Sequence, residues 1–161
     1  MITIIAAIGR NNELGKNNDL IWNLPSDLKF FKEQTFGAKV AMGKNTFDSL
    51  PKLLPGRKHI VLSLDDNFNK DASNAIVYHN KDEFIKYCTS SSEDIFIIGG
   101  ASIYTMFIEI ADVLVLTEID SQDNEADVYF PMFDKTKYTK EVLGSNNDNG
   151  INYTHVKYVK K

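Results

Sequence analysis

Short apolar runs rich in β-branched residues recur along the chain at positions 2–8, 40–42, 59–63, 75–78, 95–98 and 113–119. Their length and composition predict core strands of a sheet covered on both faces. Between several of them the spacing turns helical, at 25–35, 44–50, 82–89 and 101–110, with Pro25 in a first turn and Asn80 as a cap. Strand, helix and strand in alternation predict a mostly parallel sheet with helices on both sides. After Ile119 the pattern changes. Segments 138–143 and 151–159 flank a run of turn formers at 144–150, which predicts a terminal antiparallel hairpin. Polar stretches at 9–19, 65–74 and 121–125 are predicted loops, and the first directly precedes Trp22, where it is placed to act as a lid.

Composition narrows the class. With 161 residues, 43% apolar and 25% charged, the chain suits a single globular domain over residues 1–161. A formal charge of −4 and the lack of a polybasic block argue against nucleic acid as a partner. The apolar start is too short to span a bilayer and has no basic flank, so it is expected to be a buried strand and no membrane association is expected. The single cysteine, Cys88, cannot form an internal disulfide, which fits a cytoplasmic location. His59, His79 and His155 have no metal-ligand spacing, and a monomer is the default expectation.

Three places can carry chemistry. Trp22-Asn23-Leu24-Pro25-Ser26-Asp27 ends in a carboxylate at the threshold of a helix, beside Leu28, Phe30 and Phe31. Pro and an acid in a first turn also fit an ordinary helix start, but a carboxylate against an apolar wall is suited to a proton or a cationic heterocycle. Ile98-Gly99-Gly100-Ala101-Ser102 and Met42-Gly43-Lys44-Asn45-Thr46 each run from strand through glycine into helix. Such junctions let a phosphate approach backbone N–H groups, although neither is a complete G-x-G-x-x-G or Walker A pattern. Leu54-Pro55-Gly56-Arg57 sets a guanidinium, suited to a carboxylate, beside apolar residues.

Taken in order, these motifs, with Ile4-Ile5-Ala6-Ala7, Leu14-Gly15, Leu116-Thr117, Asp127 and Phe130-Pro131, make the chain resemble bacterial dihydrofolate reductases over essentially its whole length. The resemblance implies an α/β fold with an eight-stranded mixed sheet, flanking helices and the C-terminal hairpin. It implies NADPH as hydride donor and 7,8-dihydrofolate as the small-molecule substrate, reduced to tetrahydrofolate with hydride to C6 and a proton reaching N5 through water. Asp27, as the single acid of the site, and Thr117 would hold the pterin, with Leu20 and Trp22 at the reaction centre. Ile5, Leu28, Phe31, Leu50, Leu54 and Ile98 would enclose the rings, and Arg57 would pair with the glutamate carboxylate. NADPH would lie against Ala6, Ala7, Leu14, Gly15, Lys16, Asn18 and Leu20, then Gly43, Lys44, Asn45 and Thr46. Leu62, Ser63 and Leu64, and then Ile98, Gly99, Gly100, Ala101, Ser102, Ile103 and Tyr104, complete that surface. The Gly99–Gly100 peptide would be cis. The chain departs from the family pattern at Lys44, often Arg, at Leu64, often Ser, at Leu20, often Met, and at Ala126, often Gly. Lys81 or His79 would be available to complete the 2'-phosphate site. The related pyrimidine reductase of riboflavin synthesis would not be expected to carry both Asp27 and Arg57.

Overall fold

Strand β1 (Ile2–Ile8) serves two cores at once. In the computed structural model, which describes residues 1–17, 19–50, 52–65 and 75–161, Ile2, Ile4, Ala6 and Ile8 join one apolar cluster and Ile5 joins another. Successive side chains of a strand point to opposite faces, so this division follows from the alternation of the backbone. Strand β7 (Val113–Ile119) divides the same way, with Leu114 and Leu116 on the first face and Val113 and Val115 on the second. Thr117 shares the phase of Val115 and therefore belongs to the second face.

The remaining strands of the sheet are β3 (Lys39–Gly43), β4 (Lys58–Leu62), β5 (Ala75–Tyr78), β6 (Ile95–Ile97), β9 (Tyr138–Asp148) and β10 (Ile151–Lys160). They order as β5-β4-β3-β6-β1-β7-β10-β9. All neighbours from β5 to β7 are parallel, whereas β10 runs antiparallel to both β7 and β9. This is the eight-stranded mixed sheet expected.

Helix α1 (Pro25–Thr35) covers the second face through Phe30 and Phe31. Helix α2 (Lys44–Ser49) brings Phe47 onto Val40, Met42 and Val61. Helices α3 (Lys81–Ser90) and α4 (Ala101–Phe107) cover the first face, where Phe84 and Phe107 are fully buried. Full burial of such a side chain contributes roughly 1.5–3 kcal/mol. Among the described residues no helix is long and apolar enough to cross a membrane.

Three local expectations change. The loop expected at 9–19 contains β2 (Glu13–Gly15), which pairs with β8 (Val128–Tyr129) in a separate ladder. Elements this short carry too few residues to show alternation. Residues 144–148, expected as turn, extend β9, because their ladder with β10 outweighs local turn preference at an exposed sheet edge. Only Asn149 and Gly150 make the turn, both left-handed at φ 55° and 79°, as a two-residue hairpin requires. Helix α4 ends at Phe107 instead of 110, where Ile110 and Ala111 both donate to the Phe107 carbonyl and close the last turn. Most of the expected loop 65–74 lies outside the described residues.

Candidate active site

The hairpin tip fixes where α1 begins. Leu24 offers no side-chain cap, and Asp148 takes that role from a distance, accepting the Ser26 backbone N–H at 2.7 Å and the Ser26 hydroxyl at 3.0 Å. A carboxylate there satisfies an orphan donor and complements the helix dipole. Asp148 also accepts the Tyr153 hydroxyl at 2.8 Å, and Asn149 Nδ2 donates to the Asn23 carbonyl at 2.9 Å. Desolvation opposes ionisation of Asp148, but its hydrogen bonds prevail and hold the carboxyl below its ordinary range. Burial, and then the bond to Asp148, push the Tyr153 hydroxyl up to about 12.

With its first turn clamped, α1 aims Asp27 at the sheet. Thr117 Oγ1 donates to Asp27 Oδ1 at 2.6 Å, and His155 Nε2 lies 2.9 Å from the same oxygen. Thr117 and His155 are direct partners in the β7–β10 ladder, so two adjacent strands present neighbouring donors to one carboxylate oxygen. The His155 ring stacks on Phe30, with centroids 3.6 Å apart and planes 7° from parallel. Among the described residues neither hydrogen-bond partner of the carboxylate touches Oδ2. The Asp27 side chain is 17% exposed, so the group is largely desolvated yet open on one side. Beyond the expected residues, His155 stands in direct contact with Asp27.

Apart from Leu28, the residues expected to enclose the substrate rings fall in two neighbouring clusters. Ile5 is buried, Phe31, Leu50, Leu54 and Ile98 are half-buried, and Leu28 is exposed. Phe96 and Ile98 pack against both the Ile5 and the Val40 clusters, joining the two. Trp22 packs with Leu24, Ala7 and Tyr153 below α1. A side chain at Gly9 would bring a Cβ to 2.5 Å from the Trp22 ring, so the glycine permits that packing.

Arg57 sits at the far end of α1. Its Nε donates to Thr35 Oγ1 at 2.9 Å, and its two terminal nitrogens donate to the carbonyls of Pro55 and Lys32. Three of five N–H groups are thus used in holding the guanidinium, which leaves two for another acceptor. Desolvation lowers its pKa from the ordinary value. Lys29, Lys32, Glu33, Phe36 and Arg57 line a depression of about 430 Å³.

The glycine junctions lie together at the carboxyl ends of β3 and β6. Gly43 N–H donates to the Gly99 carbonyl at 2.9 Å, and the Gly99–Gly100 peptide is cis. A Cβ at Gly43 would meet Ile103 at 3.2 Å, and Gly99 has φ 121°, which a residue with a side chain rarely adopts. Neither α2 nor α4 has a side-chain cap, so their first-turn N–H groups suit an outside anion. Asn45, Thr46, Ala101 and Ser102 occupy those turns, with Ala6 and Ala7 nearby in the sheet on β1. This donor set and close backbone fit a dinucleotide pyrophosphate.

The other residues expected at the cofactor differ in their exposure and partners. Ile103 and Tyr104 are buried, and the Tyr104 hydroxyl donates to the Ile5 carbonyl at 2.8 Å, so they support the junction from behind. Ser63 is buried, and its hydroxyl bonds within its own turn to Asp65. Leu62 is buried and Leu64 exposed, while Lys44 Nζ is paired with Asp48 Oδ2 at 2.9 Å. Leu14 packs at the edge of the core, Gly15 pairs with Val128, and Leu20 is exposed. Asn18 lies outside the described residues. His155 was not foreseen because its approach to Asp27 depends on strand register. The alternating phase of Tyr153 and His155 in 151–159 was the available signal.

Parallel strands with glycine junctions at their carboxyl ends, beside a partly exposed carboxylate, form the kind of arrangement found in α/β nucleotide-binding enzymes. The family described as "Dihydrofolate reductase" matches residues 1–160, and the chain belongs to that family. A dihydrofolate reductase of Bacillus subtilis (strain 168) is 35% identical over 164 residues, covering 100% of this chain and 95% of that protein. One from Neisseria gonorrhoeae is 36% identical over 163 residues, covering 99% and 98%. Among solved structures, dihydrofolate reductase from Enterococcus faecalis complexed with NADP(H) and RAB-propyl superposes with a TM-score of 0.88 at 29% identity, covering 100% of this chain and 96% of that one.

Proposed function

We propose that residues 1–161 form one dihydrofolate reductase domain that reduces 7,8-dihydrofolate to tetrahydrofolate with NADPH. The observation that carries the assignment of roles is Asp27, held through Oδ1 by Thr117 and open at Oδ2. Oδ2 accepts from N3–H or the 2-amino group of the pterin, while Ile5, Leu28, Phe31, Leu50, Leu54 and Ile98 exclude water from its faces. When bound, NADPH supplies the hydride that goes to C6. Asp27 holds the end of the pterin remote from N5, so the proton reaches N5 through water, and the carboxylate favours the protonation state that accepts it. Gly43 to Thr46 and Gly99 to Ser102 hold the pyrophosphate. The two remaining N–H groups of Arg57 pair with the glutamate carboxylate of the substrate.

The deciding experiment follows loss of NADPH absorbance with and without dihydrofolate, repeated with NADH. Folate-dependent oxidation supports the proposal, and none by folded protein overturns it. Asp27→Asn should lower turnover at neutral pH by about a hundredfold, with partial recovery in acid. Unchanged kinetics would remove Asp27 from its role. Arg57→Ala should raise KM about ten- to a hundredfold for folates bearing glutamate, given roughly 1.5–3 kcal/mol for a hydrogen-bonded charge pair, and should spare substrates without it.

A further inference from the structure

We propose that His155 is a positioning residue for Asp27 whose own protonation sets how strongly the site binds dihydrofolate. The inference rests on the functional reading of Asp27 above. The contact itself is plain: Nε2 lies 2.9 Å from Asp27 Oδ1, and stacking on Phe30 at 3.6 Å fixes the plane of the ring. An ionised carboxylate only accepts, so Nε2 carries the proton in this bond, whether the ring is neutral or doubly protonated. Thr117 donates to the same oxygen, and the two bonds leave Oδ2 turned to the cleft.

The surroundings of the ring make its charge count. From α1 it meets Asp27 and Phe30, and from β7 it meets Thr117. Glu118, the next residue of β7, is engaged by Tyr158 and Lys140. Across the ladder from His155, β9 places Gly144, which brings no charge. Within β10, Tyr153 contacts the ring edge at 5.4 Å and leads to Asp148 through its hydroxyl. Neutral His155 leaves the carboxylate charge available to the N–H donors of the pterin. A proton added at Nδ1 keeps the positioning bond but compensates that charge, so protonation of the ring weakens the hold on the pterin.

Two substitutions separate the two effects. His155→Phe keeps a ring on Phe30 without a donor, and His155→Gln keeps a donor near the Nε2 position without a titratable charge. His155→Phe should raise the KM for dihydrofolate about tenfold, the effect of losing one hydrogen bond to a charged group, with a smaller change in kcat. His155→Gln should recover most of the binding lost in His155→Phe and should show a flatter dependence of KM on pH than wild type. Independently of turnover, the ring-nitrogen NMR signals of His155 should titrate differently in Asp27→Asn and in wild type. Wild-type KM and pH dependence in both His155 variants, or a His155 titration indifferent to Asp27→Asn, overturns the proposal. If neither variant folds, the NMR titration decides. A wild-type protein that does not reduce dihydrofolate fails the functional reading, while the same spectra still report the Asp27–His155 coupling.

Discussion

His59 shows how a single buried side chain ties the substrate-side turn to pH. Its Nε2 accepts the Leu54 N–H at 3.1 Å, and its Nδ1 has no hydrogen-bond partner of good geometry among the described residues. Desolvation pushes the imidazole below its ordinary range, outweighing the backbone of Arg57, and the Arg57 charge acts in the same direction as burial. The neutral ring is therefore the form favoured by folding. Its contribution is intact above the unfolded value of about 6.5 and is lost as pH falls through the lower folded value. His59→Gln, which keeps an acceptor without titrating, should lose less melting temperature than wild type between about pH 6.5 and about pH 5. Parallel melting curves across that range would remove His59 as the cause. At this scale Asp27 and Arg57 were legible in the sequence, because each is a charged group set beside apolar residues in a short motif. His155 was not, because nothing in Tyr153-Thr154-His155 says which residue of β7 it will face.

Helices and long strands were legible for a different reason. The phase of Ile2, Ile4, Ala6 and Ile8 against Ile5 repeats over enough residues to declare itself, whereas β2 and β8 owe their existence to each other. Their ladder anchors the segment ahead of Trp22 to the one after β7. Asn17 N–H donates to Asp127 Oδ2 at 3.0 Å, and Asp127 N–H donates to the Gly15 carbonyl at 3.1 Å. Lys16 Nζ pairs with Asp123 at 3.1 Å, and the buried carboxylate of Glu13 accepts the N–H groups of Asn11 and Asp123 at 2.7 Å each. The Glu125 N–H and then Lys16 hold the Asp123 carboxyl below its ordinary range, so it stays ionised at neutral pH. Asp127→Ala should speed hydrogen exchange at Asn17 and lower kcat several-fold, about 1 kcal/mol for the one side-chain bond lost. Lys16→Ala should leave the melting temperature little changed, and high salt should reproduce its effect in wild type. Exchange at Asn17 unaltered by Asp127→Ala would show that the strand ladder alone holds the segment.

For the whole molecule, the sheet order places the glycine junctions on β3 and β6 and the carboxylate partners on β7 and β10, on either side of β1. A ligand spanning the cleft therefore bears on both halves of the sheet. NADPH at a hundred times its Kd should stabilise the fold by about 2.7 kcal/mol, raising Tm by roughly 5–10 °C for a chain of this size. Scanning calorimetry with and without NADPH reads this directly, and an unmoved Tm would mean that the junctions do not bind it.

The bond between Asp27 and His155 joins positions 128 residues apart. Because a ribosome makes the chain in order, Asp27 and the first strands emerge long before the segment that supplies its second donor. At about 5–20 residues per second, several seconds or more separate the two. By the end of that interval the nascent chain carries both glycine junctions and a carboxylate with Thr117 as its donor, and the last hairpin adds the second contact, from His155.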